Sequence, residues 1–194
     1  SYKYYSEGGK GGNVIHIEGK RTEESMKVNL NGEISGSDQT AIYCKLAHVT
    51  MSSSTYIHDC HSENGNGGAL KLIACGLKMT GGLIENCSAE NGGAIYIDAG
   101  ESNIYMGKYC YIGTHQFTGG TIQNCSAQYG GAIYVDAKGL NDSGDYDGVP
   151  GKVVLNRALI TKNKATSSGG GGGVASCKTS TNYVYGTDTN GIPM

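Results

Sequence analysis

The hexapeptide His58-Asp59-Cys60-His61-Ser62-Glu63 sets two imidazoles, two carboxylates, a thiol and a hydroxyl in six consecutive positions. Such a set suits metal chelation or proton transfer. His58 and His61 could chelate together, but no third ligand stands near them in sequence. A second candidate is the acid pair Asp98 and Asp136, which occupy the same place in two copies of a repeat. Two carboxylates across one groove are what glycoside hydrolysis requires. The two arginines, Arg21 and Arg157, do not fall beside this pair. A third candidate is Asp142, Asp145 and Asp147, followed by Gly148, which partly imitates a calcium loop. Val154 stands where an EF-hand carries its closing glutamate, so that motif is excluded. A loop calcium or a solvated turn remains, and calcium is the one cofactor suggested.

These residues are placed by a repeat. Thr80–Ala99 reads TGGLIENCSAENGGAIYIDA, and Thr118–Ala137 reads TGGTIQNCSAQYGGAIYVDA, identical at 15 of 20 positions. Two further copies are more diverged, giving four anchors at Ile57, Ile84, Ile122 and Ile160, spaced by 27, 38 and 38 residues. The minimal repeat is thus about 25 residues, and the longer ones carry roughly a dozen more, as loop inserts on solenoids do. The expected inserts are Gly107–Phe117 and Lys138–Lys152.

The repeat explains the hexapeptide cheaply. His58 aligns with Glu85, Gln123 and Thr161, and Asp59 with Asn86, Asn124 and Lys162. Those are variable, solvent-facing slots.

Within a copy the side chains alternate as in a strand. Ile95, Ile97 and Ala99 are expected on one face, and Ala94, Tyr96 and Asp98 on the other. A third apolar segment is expected in each copy: Leu77 and Met79, then Ile104 and Met106, then Val154 and Leu155. The chain has 33 glycines, 2 prolines, no Trp and one Phe. The glycines fall at fixed places beside β-branched and aromatic residues, which marks repeated turns. Helical solenoids need long amphipathic segments, and none is present. The expected fold is therefore all-β: a single-domain right-handed parallel β-helix of about five or six coils over residues 1–194, with two loop inserts. Residues before 55 read as earlier, diverged coils.

The GGAI of Gly92–Ile95 and Gly130–Ile133, with a hydrophobic-x-x-Asn/Cys element, resembles the repeats of polymorphic outer-membrane-protein adhesins and of related pectate-lyase-fold bacterial surface proteins. The resemblance covers residues 55 to 175. It implies a right-handed β-helix, secreted or displayed at the cell surface, adhesive rather than catalytic. The family's Phe-x-x-Asn is Ile-x-x-Cys in three copies, and only Ile160–Asn163 keeps the asparagine.

Three of the seven cysteines, Cys60, Cys87 and Cys125, share one repeat position, where the fourth copy has Asn163. They are expected to be adjacent, buried and mostly reduced, packing as small hydrophobes. A disulfide or a metal site stays open as the alternative.

The net charge of −2 gives no electrostatic case for nucleic acid. No apolar run approaches a membrane span. Ser1 in place of an initiator Met suggests a mature or trimmed fragment, and the resemblance implies that its parent is a larger secreted or surface protein. The functional expectation is a non-enzymatic adhesin or ligand-presenting rod for a host glycan or surface protein. It would use the outward row Lys71, Tyr96 and Tyr134, since an aromatic ring joins an apolar body to a polar tip. A polysaccharide-degrading lyase or hydrolase using Asp98 and Asp136 is the first alternative, and a structural stalk without a ligand is the second.

Overall fold

The computed structural model describes residues 13–19, 26–98, 114–136, 152–167, 170–176 and 184–186. All regular structure in them is β. In chain order the strands are β1 (Ile15–Glu18), β2 (Met26–Ser35), β3 (Ile42–Lys45), β4 (Ala47–His58), β5 (His61–Asn66) and β6 (Leu70–Ile73). Next come β7 (Gly76–Glu85), β8 (Ser88–Asn91), β9 (Ile95–Asp98), β10 (Thr114–Gln123), β11 (Ser126–Tyr129) and β12 (Ile133–Asp136). Last are β13 (Lys152–Leu155), β14 (Leu159–Thr161), β15 (Lys164–Ala165), β16 (Val174–Ser176) and β17 (Val184–Gly186).

These strands form three parallel sheets. The first runs β1-β3-β6-β9-β12-β16; the second runs β17-β13-β10-β7-β4-β2, with β14 beside β10; the third runs β15-β11-β8-β5. From β3 onward the chain visits first, second and third sheet in rotation. Each circuit pairs with the one before it, so a residue sits beside its repeat equivalent. Ile84 lies between Ile57 and Ile122, and Ile122 pairs with Ile160.

The core consists of such columns. Ile42, Leu70, Ile95 and Ile133 form one in the first sheet, each 0–1% exposed. Met51, Met79 and Phe117 form one in the second, all fully buried, with Leu155 next in register. Burying an aliphatic side chain of this size contributes roughly 1.5–3 kcal/mol, so the columns carry much of the driving force.

Three kinds of corner join the sheets. Between third and first sheet stands the glycine pair, and its two members do different work. Gly92 has φ +66°, a left-handed backbone that glycine adopts without strain. A Cβ on Gly93 would lie 2.3 Å from the carbonyl oxygen of Gly131, so only a bare Cα lets successive corners approach. Between second and third sheet, Asp59, Asn86, Asn124 and Lys162 all adopt φ of 52–55°. Asp and Asn tolerate this region better than most residues. Leu46 and Ala74, at φ 55° and 48°, turn the first corner.

Several sequence expectations change. The insert does not extend to Phe117: Thr114 begins β10, and Phe117 is in the core beside Met79. The third apolar segment of that copy is therefore His115 and Phe117, in register with Leu77 and Met79. Ile104 and Met106 lie outside the described residues. In the next copy Val153 is buried and pairs with His115, while Val154 pairs with the exposed Gln116. Ala94 is fully buried rather than outward, because it belongs to the glycine corner that tucks beneath the sheet. Of the second insert, only Lys152 is described, and it starts β13. Asp142, Asp145 and Asp147 lie outside the described residues.

Candidate ligand-contact surface

Strand alternation turns every second side chain of the first sheet outward, and register aligns these into rows. One row runs His16, Tyr43, Lys71, Tyr96 and Tyr134. The three expected residues are thus adjacent, and the row extends two residues beyond them. The signal for Tyr43 was present: Ala41-Ile42-Tyr43 repeats the Ala-Ile-Tyr of Ala94–Tyr96.

Side chains of the row meet in two groups, one at His16, Tyr43 and Lys71 and one at Tyr96 and Tyr134. His16 and Tyr43 have ring centroids 4.6 Å apart, and Lys71 Nζ stands 6.0 Å from the Tyr43 centroid. Tyr96 and Tyr134 stack at 5.9 Å with planes 9° apart. Tyr129 is tilted against Tyr134 at 6.5 Å.

Exposure corrects one expectation. Tyr96 points from the outer face yet is 4% exposed, whereas Tyr129 is 43% exposed and Tyr134 half-buried. Tyr96 is a support rather than a contact residue, and its hydroxyl donates to Asp136 Oδ2 at 2.6 Å. Burial first, and this bond second, push the Tyr96 phenol well above its ordinary pKa. Tyr129 is the residue missed. It shares a repeat position with Asn91 and Asn66, where Asn91 Nδ2 donates a hydrogen bond to Asn66 Oδ1 at 2.8 Å, so it reads as a variable slot.

Asp98 and Asp136 are in register on neighbouring strands, as the repeat implied. The Tyr96 hydroxyl engages Asp136. β9 and β12 of the first sheet end at these aspartates, and the next described strands, β10 from Thr114 and β13 from Lys152, belong to the second sheet. One circuit earlier the same corner is turned directly through Ala74.

The hexapeptide is split between sheets: His58 ends β4 of the second and His61 begins β5 of the third, and only His58 and Asp59 join a polar cluster at the second. His58 Nδ1 faces Asp59 Oδ2 at 2.6 Å, and Nε2 faces Glu33 Oε1 at 3.1 Å. The ring stacks on Tyr56 at 4.1 Å. Burial pulls the His58 pKa down, but the two carboxylates outweigh it and raise the pKa above the ordinary value. The Tyr56 hydroxyl donates to Glu85, which pushes its pKa up to about 12. Gln123 Nε2 donates to Glu85 Oε2 at 2.8 Å. His61 instead meets Ser88 Oγ at 2.9 Å, so the two histidines do not converge. Among the described residues no group of three or more His, Cys, Asp and Glu is arranged to enclose a metal ion.

Beneath the corner after His58 lie the thiols. Cys60, Cys87 and Cys125 are free and buried, and each S–H donates to the carbonyl two residues earlier at 3.2 Å. The expected column is present and continues to Ser37, whose carbonyl accepts from His61 N. Cys44 and Cys75 are also free and buried; Cys110 and Cys177 lie outside the described residues.

Comparison with known proteins returns no match among family models, curated proteins or solved structures. Among the described residues no helix is long and apolar enough to cross a membrane.

Proposed function

We propose that the chain is a right-handed parallel β-helix and acts as a non-enzymatic, ligand-presenting rod of a secreted or surface-displayed bacterial protein. The rotation of strands through three parallel sheets supports the coil, and right-handedness follows from the strong bias of parallel crossovers. The observation that carries the functional reading is the Tyr129–Tyr134 corner. An exposed tyrosine and a half-buried one meet at an angle, at a slot that varies between repeats, on a scaffold held rigid by its columns. Two aromatic planes at an angle offer apolar surface together with hydroxyl groups, which suits a sugar or a protein side chain. Lys71 extends this surface along the sheet, in register with Tyr96.

Binding by the chain to arrays of glycans and host surface proteins tests this reading. A hit that is lost in Y129S/Y134S and kept in a second-sheet variant such as T121S supports it. Depolymerisation of an acidic polysaccharide, abolished by D98N, would replace it with the enzyme reading that uses Asp98 and Asp136. One observation favours a structural stalk as the second reading: Tyr96 and Tyr134 turn their ring faces to each other, as a ladder that covers a sheet would. A chain that binds nothing on such arrays would favour the stalk.

A further inference from the structure

The thiol column is not explained by turn-making alone. At the same position of the next circuit Asn163 ties two circuits together, donating from Nδ2 to Ile122 O at 3.0 Å and accepting from Cys125 N at 2.9 Å. The S–H groups of the thiols donate within their own circuit, to the carbonyls of His58, Glu85 and Gln123. They are stacked in file instead, with the buried, free Cys87 between Cys60 on one side and Cys125 on the other. Main-chain bonds Ser88 N to Cys60 O (2.9 Å) and Ser126 N to Cys87 O (3.0 Å) fix this register.

We infer that the Cys60–Cys87–Cys125 column is a binding site for a soft cation that takes two thiolates in line, of the class of Cu(I), Ag(I) or Hg(II). Neighbouring strands are about 4.8 Å apart. A metal–thiolate bond is about 2.3 Å for zinc, so a cation midway between stacked sulfurs spans about 4.6 Å. Soft thiolate ligands select such cations over zinc, which requires four donors. This agrees with the absence, among the described residues, of any enclosure of three or more ligands. Cys87 serves as the shared ligand, pairing with either neighbour.

Binding balances as two thiols plus one cation giving a bis-thiolate complex and two protons. The protons leave the S–H groups now bonded to carbonyls, and no electron is transferred. Each cysteine follows an exposed left-handed corner residue, Asp59, Asn86 or Asn124.

The test uses the full chain, reduced and free of oxygen, with Cu(I) as the probe against a competing Cu(I) chelator. Cys110 and Cys177 are replaced by Ser, and the second buried thiol pair, Cys44 and Cys75, by Ala, in every sample. The expected result is uptake with a near-ultraviolet sulfur-to-copper band, two protons released per cation, and two sulfur neighbours by X-ray absorption. C87S separates Cys60 from Cys125 by two strand spacings, about 9.6 Å. It should weaken binding by about 100-fold or more. If C87S does not fold, C60S/C125S isolates Cys87 and should lose the site, whereas C60S alone keeps the Cys87–Cys125 pair and the site. No uptake, three or four sulfur neighbours, or equal affinity with and without a thiol pair would overturn the proposal.

Discussion

Asn163 and Cys125 are bonded across a circuit boundary: the Cys125 main-chain N–H donates to Asn163 Oδ1 at 2.9 Å. The same amide reaches Ile122 O, so one side chain satisfies a donor and an acceptor of the preceding circuit. N163C would lengthen the thiol column but leave both groups without this partner. The expected loss is ~1–3 kcal/mol in urea unfolding. A variant as stable as the parent would show that the amide bridge carries no weight.

The glycine corner separates two effects that sequence alone merges. G93A places a Cβ 2.3 Å from the Gly131 carbonyl oxygen, and the neighbouring circuit must move. G92A meets the Ile95 carbonyl at 2.2 Å and also holds alanine at φ +66°. Each should cost ~2 kcal/mol or more, well beyond an ordinary surface change. G36A is the control for conformation alone, since φ is +68° and nothing lies within 4 Å of its Cβ position. It should cost ~1–2 kcal/mol. Equal losses at all three sites would assign the whole effect to φ.

Tyrosine replacements should divide the row into support and contact. Y96S empties a buried site and removes the bond to Asp136, for a loss of ~3 kcal/mol or more. Y96F keeps the ring and should lose ~1 kcal/mol. Y129S alters a largely exposed ring and should stay within ~0.5 kcal/mol of the parent. Thermal melts of the three variants decide this, and a harmless Y96S would return Tyr96 to the contact surface.

Two pH dependences follow from the second-sheet cluster. The folded His58 pKa is raised, so its contribution is complete below the unfolded value of about 6.5 and is lost as pH rises through the folded pKa. Asp59 and Glu85 are lowered, so theirs is present above the ordinary carboxylate range and lost as pH falls through the folded values. Melting temperature measured against pH should flatten on the neutral side in H58Q. Separately, Tyr56 should ionise near 12 in the parent and earlier in E85Q, read as a difference in phenolate absorbance. An unchanged phenolate curve would remove Glu85 as the cause.

Stacking made much of the fold legible. When equivalent residues sit on each other, a position that packs well is written again, so Ile57, Ile84 and Ile122 and the three thiols could be placed from sequence. The glycine pair was legible as a corner, but not the division of labour between φ and close approach, which depends on the facing circuit. Phe117 was misplaced because it stands beside an insertion, where repeat length no longer counts register, and Met79 shows its place only in the structure. The burial of Tyr96 was hidden for a related reason. Alternation reports which face a side chain leaves, not what then lies over it.

Parallel stacking in register is the claim on which the columns, the thiol site and the tyrosine row all rest. Nuclear Overhauser contacts among selectively labelled isoleucine methyls test it most directly. Ile84 should contact Ile57 and Ile122, and Ile122 should contact Ile160, each in single file, with no contact between Ile57 and Ile160. Isoleucines that meet out of this order, or a methyl network that skips Ile84, would contradict the account.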